Sequence, residues 1–383
     1  MQFPLKYDYR DILSAPASAL AAKRILVMTL FLCAALALYD LFCYAALAIE
    51  GEKIGRAFAV YGFFPFENFS FDSLAAAVLY WLGCAIAILA VMTGMTAVAA
   101  FEIEAIRGYT FLGIRKSIGF ALDRFKQLLL SEISIIAFVL VIVLLIFIYG
   151  LIGRIPFIGE WIYTVFFVLP GFVIAILTVF IVLVFIISVL LLPAVAAANR
   201  SGETFDSILE TFSTIICQPA RWIFYTIISA AAAKVFGFVY AYFAFRAVQF
   251  LTWSSSLGGG DNITHLVKSG VNRLPVKSDV AVYTFNLFEG INWGIGTNVA
   301  AWSRGSSADS AVSYFMAFML FVIFASIFGY MLSVIATAQA RAVVIIRKLK
   351  DDYSIADEKP LFYHEEHINP KVDEKEGSKQ TGH

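Results

Sequence analysis

The chain has 383 residues, 61% hydrophobic and only 15% charged, and its 28 basic and 28 acidic side chains balance to a formal net charge of zero. Soluble domains carry about 25% charged residues, and the apolar runs here exceed bilayer-spanning length, so the expected class is an all-α, polytopic transmembrane bundle. Balanced charge without a recognition motif argues against a nucleic-acid partner.

In chain order, Lys6, Asp8, Arg10 and Asp11 precede a long first span. The short apolar core and cleavage site of a signal peptide are missing, so that span is expected to stay in the mature protein. Six spans are expected near 25–49, 73–100, 128–152, 161–198, 222–250 and 311–340, each at or above the roughly 20 residues a bilayer requires. The fourth is long enough to be tilted or broken, because Pro170-Gly171 lies near its start and Pro193 near its end, with a short re-entrant piece at 161–169 as an alternative.

A module recurs along the chain. Ala97-Val98-Ala99-Ala100 closes one span and Ala194-Val195-Ala196-Ala197 closes a later one, and an amphipathic stretch follows each. In the first stretch, Phe111, Ile114, Ile118, Leu122, Phe125 and Leu129 form one apolar stripe if helical, with Arg115, Lys116, Asp123, Arg124 and Lys126 beside or opposite it. In the second, Phe205, Ile208, Leu209, Phe212 and Ile216 form the stripe, with Asp206, Ser207, Glu210 and Thr214 on the expected wet face. Both read as interfacial helices. A third copy near Asp11 rests on position alone, since Pro16 interrupts its pattern. Arg115, Lys116, Arg124 and Lys126 are candidate ligands for anionic headgroups, each contributing about 1 kcal/mol beside an acidic leaflet.

Basic residues near span ends set orientation. Lys6, Arg10, Lys23, Arg24, Arg107, Arg115, Lys116, Arg124, Lys126, Arg200, Arg221, Arg341, Arg347, Lys348 and Lys350 fall on one side, the expected cytosolic side, which also holds both termini. The other side holds Lys53, Arg56, Arg154, Lys268, Arg273, Lys277 and Arg304.

Ionisable residues within spans point to function, because each costs at least roughly 2.5 kcal/mol near the bilayer centre. Asp40 and Lys234 are the candidates. Lys234 lies about 18 Å along its span and Asp40 about 24 Å along its own, so tilt would bring them together as an ion pair or as a polar pathway. Arg246 is expected to reach the outer headgroups by snorkelling.

The external loop, 252–310, is longer than a simple connection. Gly258-Gly259-Gly260-Asp261 reads as a turn, and Asn68-Phe69-Ser70 and Asn262-Ile263-Thr264 match the glycan-acceptor pattern. The aromatic-rich stretch from Val282 to Trp302 reads as a cap on the bundle or a surface for protein partners. Beyond 350, a polar tail, 351–383, is expected to lack a fold and to carry His364-Glu365-Glu366-His367 as solvated charges.

Nothing nominates a catalytic residue, cofactor or metal. The four cysteines form no C-x-x-C pair, no histidine lies in a span, and no G-x-S-x-G, H-E-x-x-H or Walker A pattern occurs.

From Leu192-Pro193-Ala194-Val195 through Phe212, the succession of span end, polar turn and amphipathic helix resembles uncharacterised bacterial inner-membrane proteins. It is also similar to the membrane domain attached to some glycerophosphodiester phosphodiesterases. The resemblance covers 110–250 and brings no catalytic positions, because the hydrolase domain of those enzymes has no counterpart here. It implies a bacterial inner-membrane location and a non-catalytic bundle. The expected function is a non-enzymatic membrane subunit, scaffold or lipid-interacting component, and the alternative is a small-solute or lipid transporter using Asp40 and Lys234.

Overall fold

The computed structural model describes residues 5–65, 69–273 and 307–362. Every regular element among them is helical, and six helices are long and apolar enough to cross a membrane. Two short helices, α1 (Tyr9–Leu13) and α2 (Ala15–Ala19), lead into α3 (Ala22–Ile49), which returns through α4 (Ile54–Tyr61) as α5 (Leu74–Ile106). The next unit is α6 (Ile114–Asp123), α7 (Phe125–Ile152), α8 (Ile158–Phe166) and α9 (Phe172–Ala198). The last is α10 (Thr204–Cys217), α11 (Pro219–Gly259), α12 (Asp261–Asn272) and α13 (Ser307–Asp351).

The module of short helix plus hairpin therefore occurs three times. Pro16 sits in the first turn of α2, where its missing N–H costs nothing, so it divides the first leader into two helices without ending the pattern. The three returning helices, α5, α9 and α13, pack on one another. They meet through Ala97, Ala99, Ala194, Ala197, Ala338 and Ala340, all at most 1% exposed. Lipid gives little hydrophobic drive between helices, and alanine lets their backbones approach closely enough for dispersion to hold them. The repeated Ala-Val-Ala-Ala is thus the packing seam, and α13 supplies a third version of it as Ala336-Thr337-Ala338-Gln339-Ala340.

The leader helices bury a different face from the one their stripes imply. On α6, Ser117 and Ala121 are fully buried, whereas Leu122, and Phe111 just ahead of the helix, are exposed. On α10, Ser207, Thr211 and Thr214 are buried, whereas Phe205, Leu209 and Ile216 face outward. Small and hydroxylated side chains dock on the bundle because they permit close approach and bond locally: Ser117 Oγ donates to Ala97 O at 2.8 Å and Ser207 Oγ accepts from Gln127 Nε2. Part of each stripe faces outward, as an interfacial helix requires, while Ile118 and Phe212 still pack against the core.

Other boundaries shift for identifiable reasons. The fourth span breaks into α8 and α9 at a π-turn, Phe167–Gly171, around Pro170, whose ring cannot continue the helical ladder. Much of the expected external loop is helical, since α11 runs to Gly259 and Gly260, at φ +63°, turns the chain into α12. Asn262-Ile263-Thr264 lies on α12, while Asn68, the 282–302 stretch and His364 to His367 lie outside the described residues. The segment 351–362, read from sequence as the start of an unfolded tail, is packed: Ile355 is fully buried and Phe362 meets Phe120 edge-on.

Candidate functional site

At the end of the bundle that carries both described termini, buried charges tie the modules together. Glu102, 3% exposed on α5, accepts from Arg24 Nη1 of α3 at 2.5 Å, Arg341 Nε of α13 at 2.6 Å and Ser18 Oγ of α2 at 2.8 Å. Arg341 also donates to Asp11 O at 2.5 Å and to Ser14 Oγ. Nearby, Arg107 Nη1 bonds Glu104 at 2.9 Å, and its Nη2 bonds Ala198 O at 3.0 Å and Glu358 at 2.6 Å. Arg200 reaches the same Glu358 oxygen at 2.9 Å, and Glu104 accepts from Leu361 N at 2.9 Å. Burial is the largest single influence and pushes the Glu358 carboxyl upward, but the Arg107 guanidinium, the Tyr353 hydroxyl and Arg200 together outweigh it and hold the group below the usual carboxylate range.

A depressed native pKa means that docking of 352–362 is strengthened above the unfolded carboxylate value of about 4.3 and weakened as pH falls through the lower native value. Glu358→Gln is therefore expected to weaken docking by about 1.5–3 kcal/mol at neutral pH. Limited proteolysis around 352–362 should rise at pH 7 in the variant, and in the wild type only on strong acidification.

The other feature is a groove of about 1130 Å³ between α3 on one side and α11 and α13 on the other. It runs from Leu20 at the end of α2 along α3 from Ala22 to Asp40, about 27 Å at 1.5 Å per residue, close to the roughly 30 Å of the hydrocarbon core. Its lining is overwhelmingly apolar, with Leu26, Leu30, Phe318 and Phe321 among its walls. Partway along, Tyr240 and Ser326 share a hydrogen bond at 3.3 Å. On its wall Thr29 packs where Gly329 lets α13 approach α3: a Cβ on Gly329 would lie 3.1 Å from Thr29 N and 3.2 Å from Thr29 Cα.

Asp40 lies at the far end of this groove, and α3 uses it to hold the returning loop. Asp40 Oδ1 accepts from Phe64 N at 2.8 Å, Tyr39 donates to Pro65 O at 2.8 Å and Tyr44 donates to Gly62 O. Phe64, held at φ +60°, stacks on Phe321 of α13 with centroids 5.4 Å apart. Beside this mouth, the Arg273 guanidinium lies 4.4 Å from the Tyr314 ring centroid.

Asp40 and Lys234 do not form an ion pair: Asp40 bonds Phe64, and Lys234 lies exposed on α11 outside the described groove lining. Helical phase separates them, because Tyr240 is the α11 residue turned to the groove. Among the four headgroup candidates, Arg124 bonds Asn199 O at 3.0 Å and Arg200 O at 3.2 Å and lies over the Phe120 ring at 5.1 Å, so it joins α6 to the α9 end. Arg115 and Lys126 are exposed and Lys116 is half-buried.

Sequence reading missed Glu132, 7% exposed on α7, whose two carboxylate oxygens accept the Ser188 hydroxyl at 2.8 and 2.9 Å. A lone carboxylate inside the 128–152 run was the available signal. The sequence already reads the second helix as running on through Phe101-Glu102-Ile103-Glu104, and the structure carries it to Ile106; what sequence missed is that Glu102 is buried there against Arg24, Arg341 and Ser18. Among the described residues, no three His, Cys, Asp or Glu side chains gather as metal ligands. No family model, curated protein or solved structure matches the chain.

Proposed function

We propose that this integral membrane protein is a lipid-interacting component that holds a membrane lipid in the groove beside α3, without enzymatic chemistry of its own. The observation that carries the reading is the groove itself: apolar, nearly as long as the hydrocarbon core is thick, and larger than the about 300–1,000 Å³ of ordinary small-molecule sites. A cleft lined by leucine and phenylalanine side chains suits acyl chains. The rigid charged end fixes α3, α5 and α13 relative to one another and so keeps the cleft open.

The excess of basic residues at the termini end supports a cytosolic position for that end, and the resemblance over 110–250 supports a bacterial inner membrane. A transporter reading retains one favouring observation, the run of the groove from Leu20 to Asp40. It predicts lipid movement between leaflets of reconstituted vesicles. A scaffold acting through 252–310 rests on the aromatic composition of its undescribed part.

Ala37 is exposed on α3 and lines the groove, so Ala37→Trp fills the cleft without disturbing the core. After detergent exchange, the wild type should retain phospholipid by mass spectrometry and the variant about tenfold less, a difference of roughly 1.4 kcal/mol. Equal retention by a normally folded Ala37→Trp protein would sink the reading.

A further inference from the structure

The groove mouth carries two opposite charges that do not neutralise each other. Asp40 Oδ1 is engaged by Phe64 N, and Oδ2 has no hydrogen-bond partner among the described residues. Arg273, half-buried at the end of α12, rests its guanidinium on Tyr314 and forms no side-chain hydrogen bond or ion pair with the described residues. Both residues line the same cleft as Phe64, Phe321 and Tyr314. A carboxylate on a span-length apolar helix with a spare acceptor calls for a donor. A guanidinium on an aromatic face keeps its N–H edges available to an oxyanion.

We propose that the mouth of the groove selects a phospholipid with a primary-ammonium headgroup, its phosphate on Arg273, its ammonium on Asp40 Oδ2 and its acyl chains along α3. This rests on the lipid-holding reading of the same groove and adds the headgroup class. A headgroup that carries both a phosphate and a primary ammonium matches the two charges in sign. An anionic headgroup satisfies Arg273 but leaves Asp40 facing like charge. A quaternary ammonium has no N–H to give Asp40, and attraction to the surrounding rings is its only recompense.

The test uses the full-length protein reconstituted with equal amounts of phosphatidylethanolamine, phosphatidylcholine and phosphatidylglycerol, re-extracted and analysed for bound lipid. The wild type is expected to be enriched about tenfold in phosphatidylethanolamine over either competitor. Asp40→Asn keeps an acceptor oxygen for Phe64 N while removing the charge. It should retain lipid but lose the preference over phosphatidylglycerol. Arg273→Gln, at the rim, should lower retention of all three phospholipids and leave retention of headgroup-free diacylglycerol unchanged. Bound lipid that mirrors the mixture, or a preference undiminished in both variants, would overturn the proposal. If lipid remains sensitive to Ala37→Trp yet shows no headgroup preference, this inference fails and the groove reading survives. Lipid insensitive to Ala37→Trp removes both.

Discussion

Glu102→Gln is expected to destabilise the folded protein by about 3–5 kcal/mol, because it leaves two buried guanidinium groups facing each other without an anion. Arg24 and Arg341 approach Glu102 from α3 and α13, with side-chain exposures of 7% and 12% beside 3% for Glu102. Neither arginine escapes to water without moving a helix. Arg341 also carries Asp11 O and Ser14 Oγ of the first leader, so the loss should spread to α1 and α2. Thermal unfolding in mild detergent, followed by size-exclusion fluorescence, would read this as a large fall in melting temperature. Replacing all three charges together, as Arg24→Leu, Glu102→Leu and Arg341→Met, should recover much of the loss, because a buried ion cluster exchanged for apolar groups of similar volume is often neutral or stabilising. An unshifted melting temperature in Glu102→Gln would show that the cluster is hydrated and that the modules are held by apolar packing alone.

The helical class, the six spans and the recurring module are legible in sequence because each depends on local composition. Apolar length marks a span, and Ala-Val-Ala-Ala marks the level at which returning helices meet. What sequence does not disclose is which neighbour each face meets. The α10 stripe of Phe205, Leu209 and Ile216 is correct as a periodicity, but in a membrane the apolar face is also the face lipid accepts, so Ser207 and Thr214 make the protein contact. Asp40 is identifiable as a costly intramembrane charge; its partner is not, since a backbone N–H such as that of Phe64 leaves no trace in side-chain chemistry. Lys234 shows the same limit, because rise per residue gives depth whereas azimuth depends on packing. The continuation of the second helix through Phe101-Glu102-Ile103-Glu104 is legible in sequence, but the buried partners that Glu102 and Glu104 meet are not, because they come from helices and a tail segment far along the chain.

The closest test of how α13 and α3 build the groove is Gly329. A methyl group there would sit 3.1 Å from Thr29 N and 3.2 Å from Thr29 Cα and would also press on Thr29 Oγ1. Two of those atoms are backbone, so no rotamer change relieves the overlap, and Gly329→Ala should cost about 1–3 kcal/mol, with Gly329→Val costing more. The expected companion effect is functional. Prising α13 from α3 displaces Thr29, Phe321 and Ser326 of the groove lining together, so lipid retention should fall even in molecules that remain folded. Thr29 Oγ1 is buried without a hydrogen-bond partner, so Thr29→Ala alone should be neutral or mildly stabilising, since it removes an unsatisfied hydroxyl. Combined with Gly329→Ala it should restore part of the stability, by relieving the Oγ1 overlap but not the backbone ones. Melting temperature and bound phospholipid measured on the single and double variants separate these contributions. A Gly329→Ala protein as stable as wild type, with its lipid intact, would mean that the α3–α13 contact yields freely and that the groove does not depend on it.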